Sequence, residues 1–228
     1  MNPVEVGALS VLGAVLGLDV VSFPQAMLSR PLVAATLTGS LLGAPERGLL
    51  LGVTLECFAL DTLPVGASRY PEWGSSSVVG ASLLAMAPQT SAAALLLAVV
   101  VSLALSWVGG WSMVQLRRLN ARWARARHDA VARGSRRTIV GLQLYGMTAD
   151  LVRGGLMTAV GIVVFAPLMA RALPRWSSGA TITGAILMAS AAIVAAGAGH
   201  KVFHAVSSTR YWFAAGIALG VLLLGVVR

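Results

Sequence analysis

The stretch that decides the fold runs from residue 30 to residue 74. It opens with Arg30-Pro31-Leu32-Val33-Ala34-Ala35-Thr36-Leu37-Thr38-Gly39. It continues with Gly48-Leu49-Leu50-Leu51-Gly52-Val53-Thr54-Leu55-Glu56 and with Leu60-Asp61-Thr62-Leu63-Pro64-Val65-Gly66-Ala67-Ser68, and it closes on Pro71-Glu72. Both apolar runs are too short for an ordinary bilayer span, and both carry closely spaced glycines. Two carboxylates, Glu56 and Asp61, lie inside the second. Ionisable groups at membrane depth are costly and persist where they face a protein interior or a water-filled path. Short apolar segments broken by Gly and Pro point to discontinuous helices around a site near the bilayer midplane.

Composition sets the class. The 228 residues are 57% hydrophobic and 11% charged, with a mean hydropathy of +0.82. Soluble domains carry about 25% charged residues. Several continuous Ala/Leu/Val/Gly runs approach the roughly 20 residues that cross a bilayer. Such runs exclude a transmembrane barrel, whose strands alternate over about 10 residues. The expected fold is an all-α polytopic membrane protein of seven to nine hydrophobic helices, including broken or re-entrant segments. One membrane domain is expected over residues 1–228.

The net charge of +9 does not point to nucleic acid. Of 17 basic residues, eight fall between Arg117 and Arg137, between apolar runs. That is the signature of a cytoplasmic segment, so 114–137 reads as a basic cytoplasmic loop against the lipid bilayer surface. The single cysteine, Cys57, excludes a disulfide framework. Met1 to Ser10 lacks a basic leader, so no cleavable signal peptide is expected.

Along the chain, residues 3–23 form a first apolar segment ending near Asp19, and Pro24 breaks it. Gln25 follows, placed either to reach a ligand hydroxyl or to face water. Residues 31–43 start at Pro31, a favoured first helical position. Thirteen residues span only about 20 Å, so this piece reads as half-crossing or re-entrant. Residues 44–48 read as a turn. In the helix that follows, Gly48 and Gly52 form a small-residue row for close helix contact, and Glu56 continues the row toward a neighbouring helix. Residues 69–74 read as a loop, with Tyr70 and Trp73 as interfacial aromatics. Residues 76–113 hold one full span and a shorter piece jointed at Pro88. Residues 138–152, 154–170, 179–199 and 211–227 are further apolar segments. Asp150 and Arg153 read as a structural i, i+3 pair.

The 30–74 stretch closely resembles enzyme IIC, the membrane subunit of the mannose/fructose/sorbose family of the bacterial sugar phosphotransferase system. The matching residues are Arg30-Pro31-Leu32-Val33, Gly39, Gly43, Gly48 with Gly52, Thr54-Leu55-Glu56, Val65-Gly66-Ala67 and Pro71-Glu72. Asp61 stands where the family usually has Gly, and Glu72 where it has Asp. The resemblance implies a multi-pass chain in the bacterial cytoplasmic (inner) membrane that passes a hexose-type sugar inward. Its implied partners are a IID membrane subunit and cytoplasmic IIA and IIB subunits, with the phosphoryl group carried on IIB. A homo-oligomer is expected.

A neutral sugar needs several hydrogen-bond partners in a dry pocket. The substrate-binding candidates are Gln25, Thr54, Glu56, Asp61 and Ser68. Glu56 leads them, because an ionised carboxylate can accept two hydroxyls. Its alternative role is a helix-packing carboxylate. Arg30, Pro31, Gly48, Gly52, Gly66 and Glu72 are the structural motif. No phosphate loop or nucleophile elbow is present, so no catalytic residue and no cofactor are expected. His200 and His204 have a spacing that two metal ligands can use, but no third ligand is evident. Two further readings stay open: a transport-inactive relative acting as membrane scaffold or sensor, and an ion-coupled transporter using Glu56 and Asp61.

Overall fold

The structure, a computed structural model, describes residues 2–20, 22–60, 69–205 and the isolated positions 211, 214, 215 and 218. Asp61, Gly66 and Ser68 lie outside the described residues. Within them the chain is all-helical: α1 (Pro3–Asp19), α2 (Pro31–Leu41), α3 (Pro45–Ala59), α4 (Trp73–Met86), α5 (Ala92–Ala126), α6 (His128–Ala132), α7 (Arg136–Ala172) and α8 (Ala180–Ala205). Three are long and apolar enough to cross a bilayer: α5, α7 with the short turn after it, and α8. Large apolar side chains remain exposed on their outer faces, among them Val163 on α7 and Met188 and Ile193 on α8. Such faces suit hydrocarbon, where an exposed Ile has no unfavourable water contact to escape.

The half-crossing piece is α2. Its 11 residues span about 16 Å. The predicted turn over 44–48 is shorter than expected. Pro45 already occupies the first turn of α3, and the reversal is made at Leu42 to Ala44, with Gly43 at φ +69, a conformation that glycine adopts without penalty.

Helix α4 is the centre of the molecule. Residues Trp73 to Leu84 are all buried, packed by α1, α2, α3, α5 and α7. Its serines do not make it a water-facing helix: Ser76 Oγ donates to Glu72 O and Ser82 Oγ to Val78 O, both at 2.7 Å, Ser75 Oγ donates to the Glu72 carboxylate, and the buried Ser77 Oγ has no partner among the described residues. Small residues set the crossings. A Cβ on Gly80 would lie 1.9 Å from Ser102 Oγ of α5, and one on Gly13 of α1 would lie 2.0 Å from Thr158 Oγ1 of α7. The close approach rewards van der Waals packing, the main attraction between helices in lipid.

Tyr70 and Trp73 are core residues, 7% and 8% exposed, rather than interfacial aromatics. Arg117 donates to the Tyr70 hydroxyl and stacks 5.1 Å from its ring centroid, and the Tyr70 carbonyl packs where a side chain on Gly110 would sit. Residues 138–152 and 154–170 are one helix, because Gly154 and Gly155 keep helical geometry against α1. The Asp150–Arg153 ion pair is present, at 2.8 Å.

The basic stretch is helical for most of its length. The ends of α5 and α7, joined through α6, form a hairpin. At 1.5 Å per residue the 35 residues of α5 and 37 of α7 reach about 50 Å, well beyond the roughly 30 Å hydrocarbon core. The basic arms therefore extend beyond the apolar part of the two helices. At the opposite end, Arg47 of α3 points Nη1 at the carbonyls of Leu84, Ala85 and Ala87 (3.3, 3.0 and 2.6 Å). These are the unsatisfied carbonyls that end α4. Arg47→Ala is expected to lower stability by about 1–3 kcal/mol, the cost of leaving buried acceptors unpaired. Thermal unfolding of the detergent-purified protein checks this, with partial recovery expected in Arg47→Lys.

Candidate functional site

Helices α2 and α3 form a tight antiparallel hairpin, and the Gly48–Gly52–Glu56 row builds its seam. At the closed end Gly48 meets Gly39: a Cβ on Gly48 would lie 2.4 Å from Ala35 O and 2.9 Å from Gly39 Cα. One turn on, a Cβ on Gly52 would lie 3.0 Å from Leu32 Cα and 3.1 Å from Pro31 O. A further turn brings Glu56 to the start of α2. Its carboxylate accepts from Arg30 Nε at 2.7 Å and from Arg30 Nη2, both on Oε1, while Oε2 accepts from Leu32 N at 3.2 Å.

The placement follows from elementary electrostatics. The first N–H groups of a helix lack partners within it, and that end carries partial positive charge. Pro31 at the first position removes one of those donors, and Glu56 takes another. Arg30 adds a full charge. The pair is not sealed: the Arg30 and Glu56 side chains are 25% and 22% exposed. Each carboxylate oxygen has two lone pairs, so capacity remains for a ligand hydroxyl.

The approach to this pair is a loop held by a buried acid. Asp19, 1% exposed at the end of α1, accepts from Ala26 N (2.8 Å) and Ser29 N (2.9 Å). Gln25 is exposed on that loop at φ +58, and Met27 follows at φ +59. Non-glycine residues visit this region rarely and at a cost, so the Asp19 contacts fix a specific path into Arg30. Asp19 was not among the predicted site residues. Its signal is an acid at a helix end before a Pro-containing loop, where carboxylates commonly bond backbone N–H groups.

The remaining candidates separate. Thr54 turns its hydroxyl into its own helix, to Leu50 O at 2.9 Å. Glu72 belongs to a different place. It is fully buried at the N-terminus of α4, accepting from Ser75 N at 3.1 Å and from the Ser75 hydroxyl. The glycines Gly17 of α1 and Gly109 of α5 make the room around it. The structure thus joins Arg30, Pro31, Gly52 and Glu56, and it leaves Glu72 as a helix cap in the core.

Residues 4–219 match the family of the PTS system sorbose-specific IIC component. The chain belongs to that family. Among its relatives, the fructose permease IIC component of Bacillus subtilis (strain 168) is 35% identical over 89 residues, 39% of this chain and 33% of that protein. The sorbose-specific EIIC component of Lacticaseibacillus casei is 27% identical over 172 residues, 74% of this chain and 59% of that protein. The chain thus spans between a third and three fifths of the length of these IIC relatives. A chain in the cryo-EM structure of the mannose transporter ManYZ with microcin E492 superposes with a TM-score of 0.62 at 18% identity, covering 100% of this chain and 92% of that one. At that identity the likeness concerns the fold.

Proposed function

We propose that this IIC chain is the sugar-translocating membrane subunit of a mannose-type phosphotransferase system in the bacterial inner membrane. It would pass a hexose inward for phosphorylation by a cytoplasmic IIB subunit, with IIA and a IID membrane subunit completing the system. The observation that carries this reading is the α2–α3 hairpin, a half-crossing helix whose open end presents the Arg30–Glu56 pair with spare acceptor capacity. Discontinuous helices of this kind frame substrate sites in transporters, and an intramembrane acid is a functional group by default. Gln25, on the loop that leads into Arg30, would supply a neutral amide to the same sugar; Thr54, Asp61 and Ser68 are the proposed neighbours. The proposal gives the chain no phosphoryl-carrying residue.

The test is uptake of radiolabelled hexoses into cells expressing the chain with IIA, IIB and IID partners. Intracellular label recovered as sugar phosphate is the expected result. No uptake of any hexose by correctly inserted protein would contradict it and would favour a scaffold or sensor role.

A further inference from the structure

The projecting hairpin borders a partly open cavity of about 550 Å³ with a mixed polar and apolar lining, and its wall includes neither Arg30 nor Glu56. Its walls are two helix faces. From α5 come Arg117, Asn120 and Trp123, spaced by three. From α7 come Gln143 and Asp150, with Gly146 between them, and Ser22, just after α1, closes one side. Apart from Arg117, none of these follows from the requirement for inner positive charge, which arginine and lysine meet alone.

The lining is chemically specific. Asn120 and Gln143 offer amides that donate and accept, Asp150 is an acceptor, and Ser22 is both. Asp150 is oriented by Arg153 at 2.8 Å and by Ser22 Oγ at 3.4 Å. The Asn120 carboxamide lies over Gly146, where a Cβ would come within 3.2 Å of Nδ2, and its buried Oδ1 has no hydrogen-bond partner. Such an orphaned acceptor is uncommon, and being covered by protein it meets a ligand once the carboxamide turns toward the cavity. Trp123 is half-buried beside Tyr145, ring centroids 6.0 Å apart, and supplies a flat apolar surface. The guanidinium lining the cavity, Arg117, is bonded to Tyr70. The volume lies within the usual range for small-ligand pockets, about 300–1,000 Å³, and a few convergent polar groups around an aromatic body are what such pockets use.

We propose that this cavity is a binding site for a neutral hexose at the inner mouth, where the sugar rests after leaving the Arg30–Glu56 region. Asn120, Gln143 and Asp150 hold its hydroxyls and Trp123 stacks on its face. The choice of a hexose rests on the transport reading above; the cavity chemistry itself calls for a neutral polyol. Ser22 starts the loop that ends at Arg30, so one short segment borders both sites.

The test uses the full chain in lipid nanodiscs with Cys57→Ala and Met147→Cys, the latter at a half-buried position on the cavity wall that holds no sugar hydroxyl in the proposal. The rate of maleimide alkylation is followed with mannose, fructose, sorbose, glucose or a hexose phosphate present. At least one free hexose is expected to slow alkylation about tenfold, while the hexose phosphate does not, and Leu144→Cys, exposed on the outer face of the same helix, is unaffected. Adding Trp123→Ala is expected to raise the protecting concentration about tenfold, the scale of an aromatic contact. Failure of every free hexose to protect, or equal protection at position 144, overturns the site, as does protection by the phosphate alone. Uptake without protection at 147 would remove the cavity site and leave the transport reading. Protection without uptake would keep the site and remove transport.

Discussion

Arg153→Met is expected to destabilise the protein by about 3–5 kcal/mol, the scale for removing one partner of a buried ion pair. The Arg153 and Asp150 side chains are 9% and 4% exposed. Without the guanidinium, the hydrogen bond left to Asp150 among the described residues is that of the Ser22 hydroxyl at 3.4 Å. Arg153 also donates to Ser112 Oγ of α5 at 3.2 Å, so its loss loosens the join between α5 and α7. The double variant Asp150→Leu with Arg153→Met should recover most of the loss, since replacing both members of a buried pair by apolar groups is often close to neutral. A double-mutant cycle by thermal unfolding in detergent isolates the coupling. Equal losses in the single and double variants would contradict the assignment.

Gly48→Val is expected to cost about 3 kcal/mol, the upper part of the usual range for overpacking a tight site. Its Cβ would stand 2.4 Å from a backbone oxygen, Ala35 O, and backbone cannot rotate away as a side-chain tip can. The helices must separate, and the separation propagates two turns along the row to Glu56. Loss of transport should therefore accompany loss of stability. Gly7→Ala is the matched control. Nothing lies within 4 Å of a Cβ there, and a helical Gly→Ala change should stabilise by about 0.5–1 kcal/mol. If Gly48→Val unfolds no more easily than Gly7→Ala, the seam does not hold the hairpin.

The hairpin seam was legible in the sequence because a glycine row at i, i+4 ending in a carboxylate has few uses other than helix contact. Pro31 marked the start of α2 for an equally local reason. The surroundings of Tyr70 and Trp73 were not legible. Aromatics beside an Arg and a Pro read as a membrane rim, and only the partnership of Tyr70 with Arg117, 47 residues away, shows them to be core. The single course of α7 was hidden by Asp150, Arg153, Gly154 and Gly155. Those residues weaken the apolar signal, yet they sit where α1 and α5 satisfy them. Asn120 and Trp123 were masked by the arginines around them, since charge dominates the reading of that stretch. Their shared face with Gln143 emerges only when α5 and α7 pair.

The central claim is that the carboxylate at the open end of the α2–α3 hairpin handles the sugar. The most direct measurement compares kcat/KM for hexose uptake in wild type and Glu56→Gln at matched membrane levels, with all partner subunits present. Glutamine keeps an acceptor for Leu32 N but loses the charge opposite Arg30 and half of the acceptor capacity. Hydrogen bonds to charged groups contribute about 1.5–3 kcal/mol, so a loss of roughly tenfold to a hundredfold is expected, with the fold retained. Uptake at the wild-type rate by Glu56→Gln would contradict the account and leave Glu56 as a packing group only.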